Sequence, residues 1–172
     1  HKPNLLLVEA MWSRFLPHYR KLRELVRQGE LGEIISIAAD HGQNLPLPKY
    51  YRLHAPELAG GALLDLGIYP ISFAYYLLGK PQSISAKAEF TPSGVDSQTS
   101  MIFRYDTGAH ANLTTTLLAK TPCTATVVGT KGTVYIDGDF YTPTSMRMKK
   151  IDGTFIEFAK NYEGHGLRSE EH

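Results

Sequence analysis

Apolar and polar residues alternate along this chain with two different periods. Leu16, Tyr19, Leu22, Leu25 and Val26 recur at helical spacing while Arg20, Lys21, Arg23, Glu24 and Arg27 fill the other side, which predicts an amphipathic helix. Pro17 suits its first turn and Gly29 its C-terminal cap. The unbroken run Leu5 to Val8 ahead of it predicts a short strand buried on both faces. Ile34 to His41 reads as a strand, Gln43 to Leu58 as a long loop, and Gly60 to Leu78 as a second helix closed by Gly79 and Pro81. Strand-forming runs then follow at Ser83 to Phe90, Gln98 to Tyr105, Ala109 to Leu118, Thr124 to Gly129, Thr133 to Ile136, Met146 to Ile151 and Thr154 to Phe158. Asp106-Thr107-Gly108, Thr130-Lys131-Gly132, Asp137-Gly138-Asp139 and Asp152-Gly153 supply tight turns between most of them, and strands joined by short links pair antiparallel. The predicted fold class is α+β, a large, mostly antiparallel open sheet with two helices on one face. Runs such as Met101-Ile102-Phe103 and Val127-Val128 are apolar on both sides, with no further helix to cover the second face. Self-association through that open face is therefore expected, giving a homo-oligomer.

Composition narrows the function classes. The 172 residues, 42% apolar and 20% charged, suit one globular domain with a sizeable core or one half of a larger enzyme. Eighteen basic side chains against seventeen acidic leave a net charge of +1, and without a long basic run nothing points to nucleic acid. The basic face of the first helix reads as solvated surface. The single cysteine, Cys123, excludes an intramolecular disulfide framework and reads as a small core residue of a protein from a reducing, cytoplasmic compartment. Leu5 to Val8 is too short for a secretory signal, and Ala62 to Leu78, interrupted by Asp65, Gly67 and Pro70, falls short of a membrane span. The seven histidines show no metal-ligand spacing, so no metal site is expected. The chain opens without Met on His1-Lys2-Pro3 and stops at Glu170-Glu171-His172, which reads as an excised fragment.

The chemistry concentrates in Gly60 to Tyr69. Gly-Gly-Ala-Leu-Leu-Asp-Leu-Gly, then Ile68, Tyr69 and Pro70, places an acid and a phenol inside an apolar helical segment. Residues four apart share a helix face, so Asp65 and Tyr69 are expected to point the same way. A buried carboxylate must be hydrogen-bonded or paired with a cation. Gly60 and Gly61 remove side chains, allowing another backbone, a cofactor ring or a substrate to come close. Pro70 removes a helical hydrogen bond and predicts a kink beside the phenol. Two readings stay open: the wall of a reaction site, or a structural network with Asp65 bonded to a neighbouring backbone.

Four stretches together carry a family resemblance. They are Val8-Glu9-Ala10-Met11-Trp12-Ser13-Arg14-Phe15-Leu16-Pro17, Gly29-Glu30-Leu31-Gly32-Glu33, Gly60 to Tyr69, and Val128-Gly129-Thr130-Lys131-Gly132-Thr133. In this order and spacing the chain resembles the C-terminal half of the Gfo/Idh/MocA oxidoreductases. Its Trp-x-Arg-Phe-x-Pro and Asp-x-Gly-x-Tyr motifs are most similar to the dimeric dihydrodiol dehydrogenase and NADP-dependent xylose dehydrogenase branch.

The resemblance implies a sheet domain like the C-terminal domain of glyceraldehyde-3-phosphate dehydrogenase. It makes residues 1–172 a substrate-binding and oligomerisation domain that follows a Rossmann nucleotide domain not contained in this chain. No Gly-x-Gly-x-x-Gly fingerprint occurs here, so NAD(P) would be held mainly by that other domain, and the fragment alone is expected to be inactive. The activity implied is hydride transfer between nicotinamide and a sugar or vicinal diol. Tyr69 stands at the family's position for the proton-transferring group, and Asp65 at the acid that orients substrate and the acid/base group. Trp12 and Arg14 are placed to line a substrate pocket, with core packing for Trp12 and a surface ion pair for Arg14 as the alternatives. Arg52 and His54, in the loop before the glycines, are further substrate-contact candidates. His1-Lys2-Pro3 imitates the family's Glu-Lys-Pro motif, but Lys2 lies too close to the first strand to take over the catalytic lysine's role. A non-catalytic sugar-binding or scaffold domain and a glycosidase built on Glu9, Glu57 or Asp65 are the competing readings; nothing brings a second acid to Asp65.

Overall fold

The structure, a computed structural model, describes residues 10–160. The expected strand Leu5 to Val8, with Lys2 and Glu9, lies outside the described residues.

Helix α1 spans Pro17–Arg27, with Pro17 in its first turn, where a missing amide hydrogen is harmless. His18, Tyr19, Leu22 and Leu25 are buried while Arg20, Arg23 and Arg27 face out, as the period requires. Gly29 follows the helix at φ +72. Eight strands come next in the chain: β1 Ile34–Gly42, β2 Ser83–Phe90, β3 Asp96–Arg104, β4 His110–Thr116, β5 Ala125–Gly129, β6 Gly132–Ile136, β7 Met146–Lys150 and β8 Phe155–Phe158. They form one sheet in the order β2-β3-β4-β1-β5-β6-β7-β8. Every neighbouring pair is antiparallel except β1 and β4, which run parallel from Ser36 opposite His110 to Gly42 opposite Thr116. A parallel pair needs a long crossover, supplied here by everything between β1 and β4.

Helix α2, Ile68–Leu78, and α1 pack on one face of this sheet. Tyr19, Leu22 and Phe73 meet Ile37, Phe103, Ala111, Leu113, Val127 and Val134 in a single core, most of them fully buried. Burying each large apolar side chain contributes about 1.5–3 kcal/mol. On the other face Ala38, Ser100, Asn112 and Thr114 are exposed, and Ile102 is 49% exposed. Around Ile102 that face is small and polar, less apolar than the runs Met101-Ile102-Phe103 and Val127-Val128 imply.

Two local expectations change. The stretch Gln43 to Leu58 is not plain loop, for Tyr51–His54 and Pro56–Leu58 are short 3-10 turns. The second helix does not run evenly from Gly60 with a kink at Pro70: it opens at Leu63–Gly67 as a wide π-helical turn, and regular helix begins at Ile68. The irregularity thus precedes the proline, where its ring would crowd the carbonyl four residues back. The longer, 23-residue run Pro56–Leu78 is apolar enough to cross a membrane by length and composition alone. In the fold it is broken into separate turns, and Pro70, Phe73 and Ala74 are buried inside the domain.

Candidate functional site

The start of the second helical segment is fixed by packing of the chain on itself. Gly60 is buried, and a Cβ there would lie 2.6 Å from the Leu53 carbonyl oxygen. Gly61 takes φ +116, and a Cβ there would strike the Asp96 carboxylate. The Asp96 carboxylate in turn accepts from the Leu63 amide at 2.8 Å and the Thr99 hydroxyl at 2.8 Å, which caps the opening turn. Of the uses foreseen for the glycines, close approach of another backbone is the one the geometry displays.

From this turn Asp65 and Tyr69 engage different partners. Asp65 is half-buried and forms an ion pair with the exposed Arg52 guanidinium, so the carboxylate has found the cation its setting demands. Both lie in an open hollow of about 440 Å³, whose walls also include Leu45, Lys49, Tyr50 and Tyr51. Lys49 and Arg52 make one side of that hollow cationic. His54, also half-buried, faces elsewhere, with Nε2 bonded to the Leu45 carbonyl at 2.8 Å.

Tyr69 is half-buried in an aromatic group instead. The Trp12 indole Nε1 donates to its hydroxyl at 3.4 Å. Trp12 is 8% exposed and belongs to the main core, so core packing is the one of its two expected roles that the structure displays. Arg14 makes no ion pair among the described residues; its Nε donates to Ser72 Oγ on α2 at 3.2 Å, tying the Trp12–Phe15 turn to the helix that carries Tyr69. No hydrogen bond joins Asp65 to Tyr69, although the two lie on the same short segment.

Two rings of this group, His41 and Tyr141, and the neighbouring Gln43 were not legible as a site in the sequence. His41 near the end of β1 meets Tyr69 edge-to-face at 5.3 Å and stacks on Tyr141 at 4.0 Å. Gln43 donates to the Tyr141 hydroxyl at 2.8 Å. Burial pushes the His41 imidazole down to about 4 and the Tyr141 phenol well up. Both therefore stay neutral at physiological pH. The available signal was the pattern Asp40-His41-Gly42-Gln43 at the carboxyl end of a buried strand, the end from which a loop leaves the sheet. Among the described residues no cluster of His, Cys, Asp or Glu is arranged to hold a metal ion.

Comparison with known proteins covers most of the chain. The GFO/IDH/MocA C-terminal domain matches residues 19–135. The chain is 38% identical over 147 residues to trans-1,2-dihydrobenzene-1,2-diol dehydrogenase of Xenopus tropicalis, covering 84% of this chain and 44% of that protein. With the human enzyme of that name it shares 35% over 152 residues, covering 84% of this chain and 43% of the relative. The chain thus spans less than half the length of these relatives. Among solved structures, the aldose-aldose oxidoreductase of Caulobacter crescentus, complexed with glycerol, superposes with a TM-score of 0.79 at 28% identity over 93% of this chain and 49% of the other. Levoglucosan dehydrogenase superposes at 0.79 with 17% identity over 98% of this chain and 55% of the other, a likeness of fold. The chain belongs to the GFO/IDH/MocA family, of which it carries the C-terminal domain.

Proposed function

We propose that this domain is the substrate-side half of an NAD(P)-dependent oxidoreductase acting on the CH–OH group of a sugar or vicinal diol. The observation that carries the reading is the Trp12–Tyr69 hydrogen bond: the indole N–H donates to the phenol oxygen, which fixes where that oxygen sits. Tyr69 is half-exposed, so the same oxygen is placed to take the proton of a substrate hydroxyl, or to return it in the reverse direction. Asp65 and Arg52 orient the substrate, the carboxylate accepting from hydroxyls and the guanidinium donating to oxygens. Arg14, held to Ser72, keeps the Trp12 turn against α2.

The nicotinamide, when bound, takes hydride from the carbinol carbon or gives it back. The described residues offer no glycine-rich pyrophosphate cradle, so the cofactor is assigned to another part of the full protein, and this fragment by itself is inactive. Glycerol in the Caulobacter relative and diols in the name of the dehydrogenase relatives support a small polyhydroxyl substrate. The open sheet face, with Ile102 half-exposed among small polar residues, is assigned to self-association. With its one thiol free and buried, the protein is assigned to the cytoplasm.

The test is an assay of the full-length protein for NAD(P)H formation with aldoses and vicinal diols, comparing wild type with Tyr69→Phe. A loss of at least about a hundredfold in rate supports proton transfer by the phenol. An undiminished rate removes Tyr69 from the mechanism.

A further inference from the structure

Pro70 is the third residue of α2 and has no amide hydrogen, so the carbonyl four residues back, that of Leu66, lacks the donor a regular helix would supply. His41 Nδ1 lies 3.1 Å from that oxygen, in a buried contact between β1 and the π-helical turn. A carbonyl only accepts, so Nδ1 carries the proton and Nε2 is the bare nitrogen. The imidazole is 3% exposed and is held on two further sides. It lies nearly flat on Tyr141, 27° from parallel, and meets the Tyr69 ring at 74°. Gln43, bonded to the Tyr141 hydroxyl, approaches the bare Nε2 at 3.5 Å.

We infer that His41 is a positioning residue for Tyr69: it takes the place of the missing Pro70 amide at the Leu66 carbonyl and fixes the turn, and so the phenol, by ring contact. The inference rests on reading Tyr69 as the proton-transferring group, and it concerns how that group is held, not what it does. Sequence and geometry agree on the need for such a device. A proline one residue after Tyr69 removes one backbone bond from this turn, and a wide turn precedes it, so the turn rests partly on bonds from outside the segment. Burial keeps the imidazole neutral, as a donor–acceptor pair of nitrogens in this setting requires.

The logic makes an unusual rescue possible. His41→Phe preserves a flat ring for Tyr141 and Tyr69 but takes the side-chain donor from the Leu66 carbonyl, leaving it only the Ile68 amide two residues on. Pro70→Ala returns an amide hydrogen to that carbonyl. In the full-length protein, His41→Phe is expected to lower kcat by about tenfold with KM changed less than about twofold, because a small misplacement of an acid/base group affects the transition state more than binding. The double variant His41→Phe/Pro70→Ala is expected to recover most of that loss. A wild-type kcat in His41→Phe, or a double variant no better than the single one, overturns the inference.

A second readout separates this idea from the activity itself. The Tyr69 ring carbons, followed by NMR in the same three proteins, are expected to shift in His41→Phe and to return in the double variant. Unmoved signals overturn the positioning role even if Tyr69→Phe later shows that the phenol does no chemistry. Should His41→Phe not fold, imidazole nitrogen shifts of the wild type decide: protonated Nδ1 is required, and protonated Nε2 with bare Nδ1 contradicts it.

Discussion

The indole nitrogen of Trp12 and the hydroxyl of Tyr69, 57 residues apart in sequence, meet at 3.4 Å. The contact sets the direction of the phenol oxygen, so losing it frees that oxygen from its place. Trp12→Phe removes the donor and keeps a ring. In the full-length protein its expected effect is a fall of about tenfold in kcat for alcohol oxidation with KM little changed. An unchanged kcat separates Trp12 from the chemistry and leaves it to the core.

The Asp65–Arg52 pair makes a different prediction, since Arg52 is 56% exposed and Asp65 27% exposed. Exposed ion pairs contribute little to stability, about 1 kcal/mol or less. Asp65→Asn and Arg52→Ala, singly and together, should therefore shift urea unfolding midpoints only slightly while raising KM for a polyhydroxyl substrate by about tenfold or more. Large destabilisation with unchanged KM reverses the assignment and makes the pair structural.

His41 ties stability to pH. Its imidazole, ordinarily titrating at 6.5, is pushed down to about 4 in the fold by burial, an effect that the Leu66 carbonyl, Asp139 and Asp40 oppose and Lys120 reinforces. Between those values the unfolded chain binds more protons than the folded one, so stability is fully present above the unfolded value and lost as pH falls toward about 4. The linkage amounts to up to about 3 kcal/mol. Buried His18, lowered by burial despite its bond to the Phe140 carbonyl, acts in the same direction. Thermal unfolding across this range should show the decline, flattened in His41→Phe; an equal slope in that variant assigns the titration elsewhere.

The open sheet face gives a fourth test. Ile102 on β3 is 49% exposed, with Ser100, Asn112 and Thr114 exposed around it. If two copies meet there, Ile102→Glu should lower the sedimentation mass of the full-length protein while leaving its fold intact, because a charge desolvated at an interface opposes association. A wild-type mass unchanged by the substitution places any contact elsewhere.

How much of this was legible in the sequence follows from where each feature's information lies. The amphipathic period of α1 is local, and all seven strands after Ser83 appear within a few residues of their expected places because alternation and turn chemistry are local too. The parallel pairing of β1 with β4 is not local: Ser36 opposite His110 is a decision of the whole sheet. Asp65 and Tyr69 were visible because an acid and a phenol break an apolar run. Their separate partners, Arg52 and Trp12, depend on how the π-helical turn and the preceding loop fold. His41 was hidden for the same reason. A single histidine on a buried strand resembles core until Tyr141, from a distant turn, closes over it.

The decisive measurement is the single-turnover rate of hydride transfer in the full-length protein, with Tyr69→Phe set against wild type on the best aldose or vicinal diol. The account predicts a fall of at least about a hundredfold with the variant still folded and still binding substrate. A Tyr69→Phe protein that transfers hydride at the wild-type rate contradicts it.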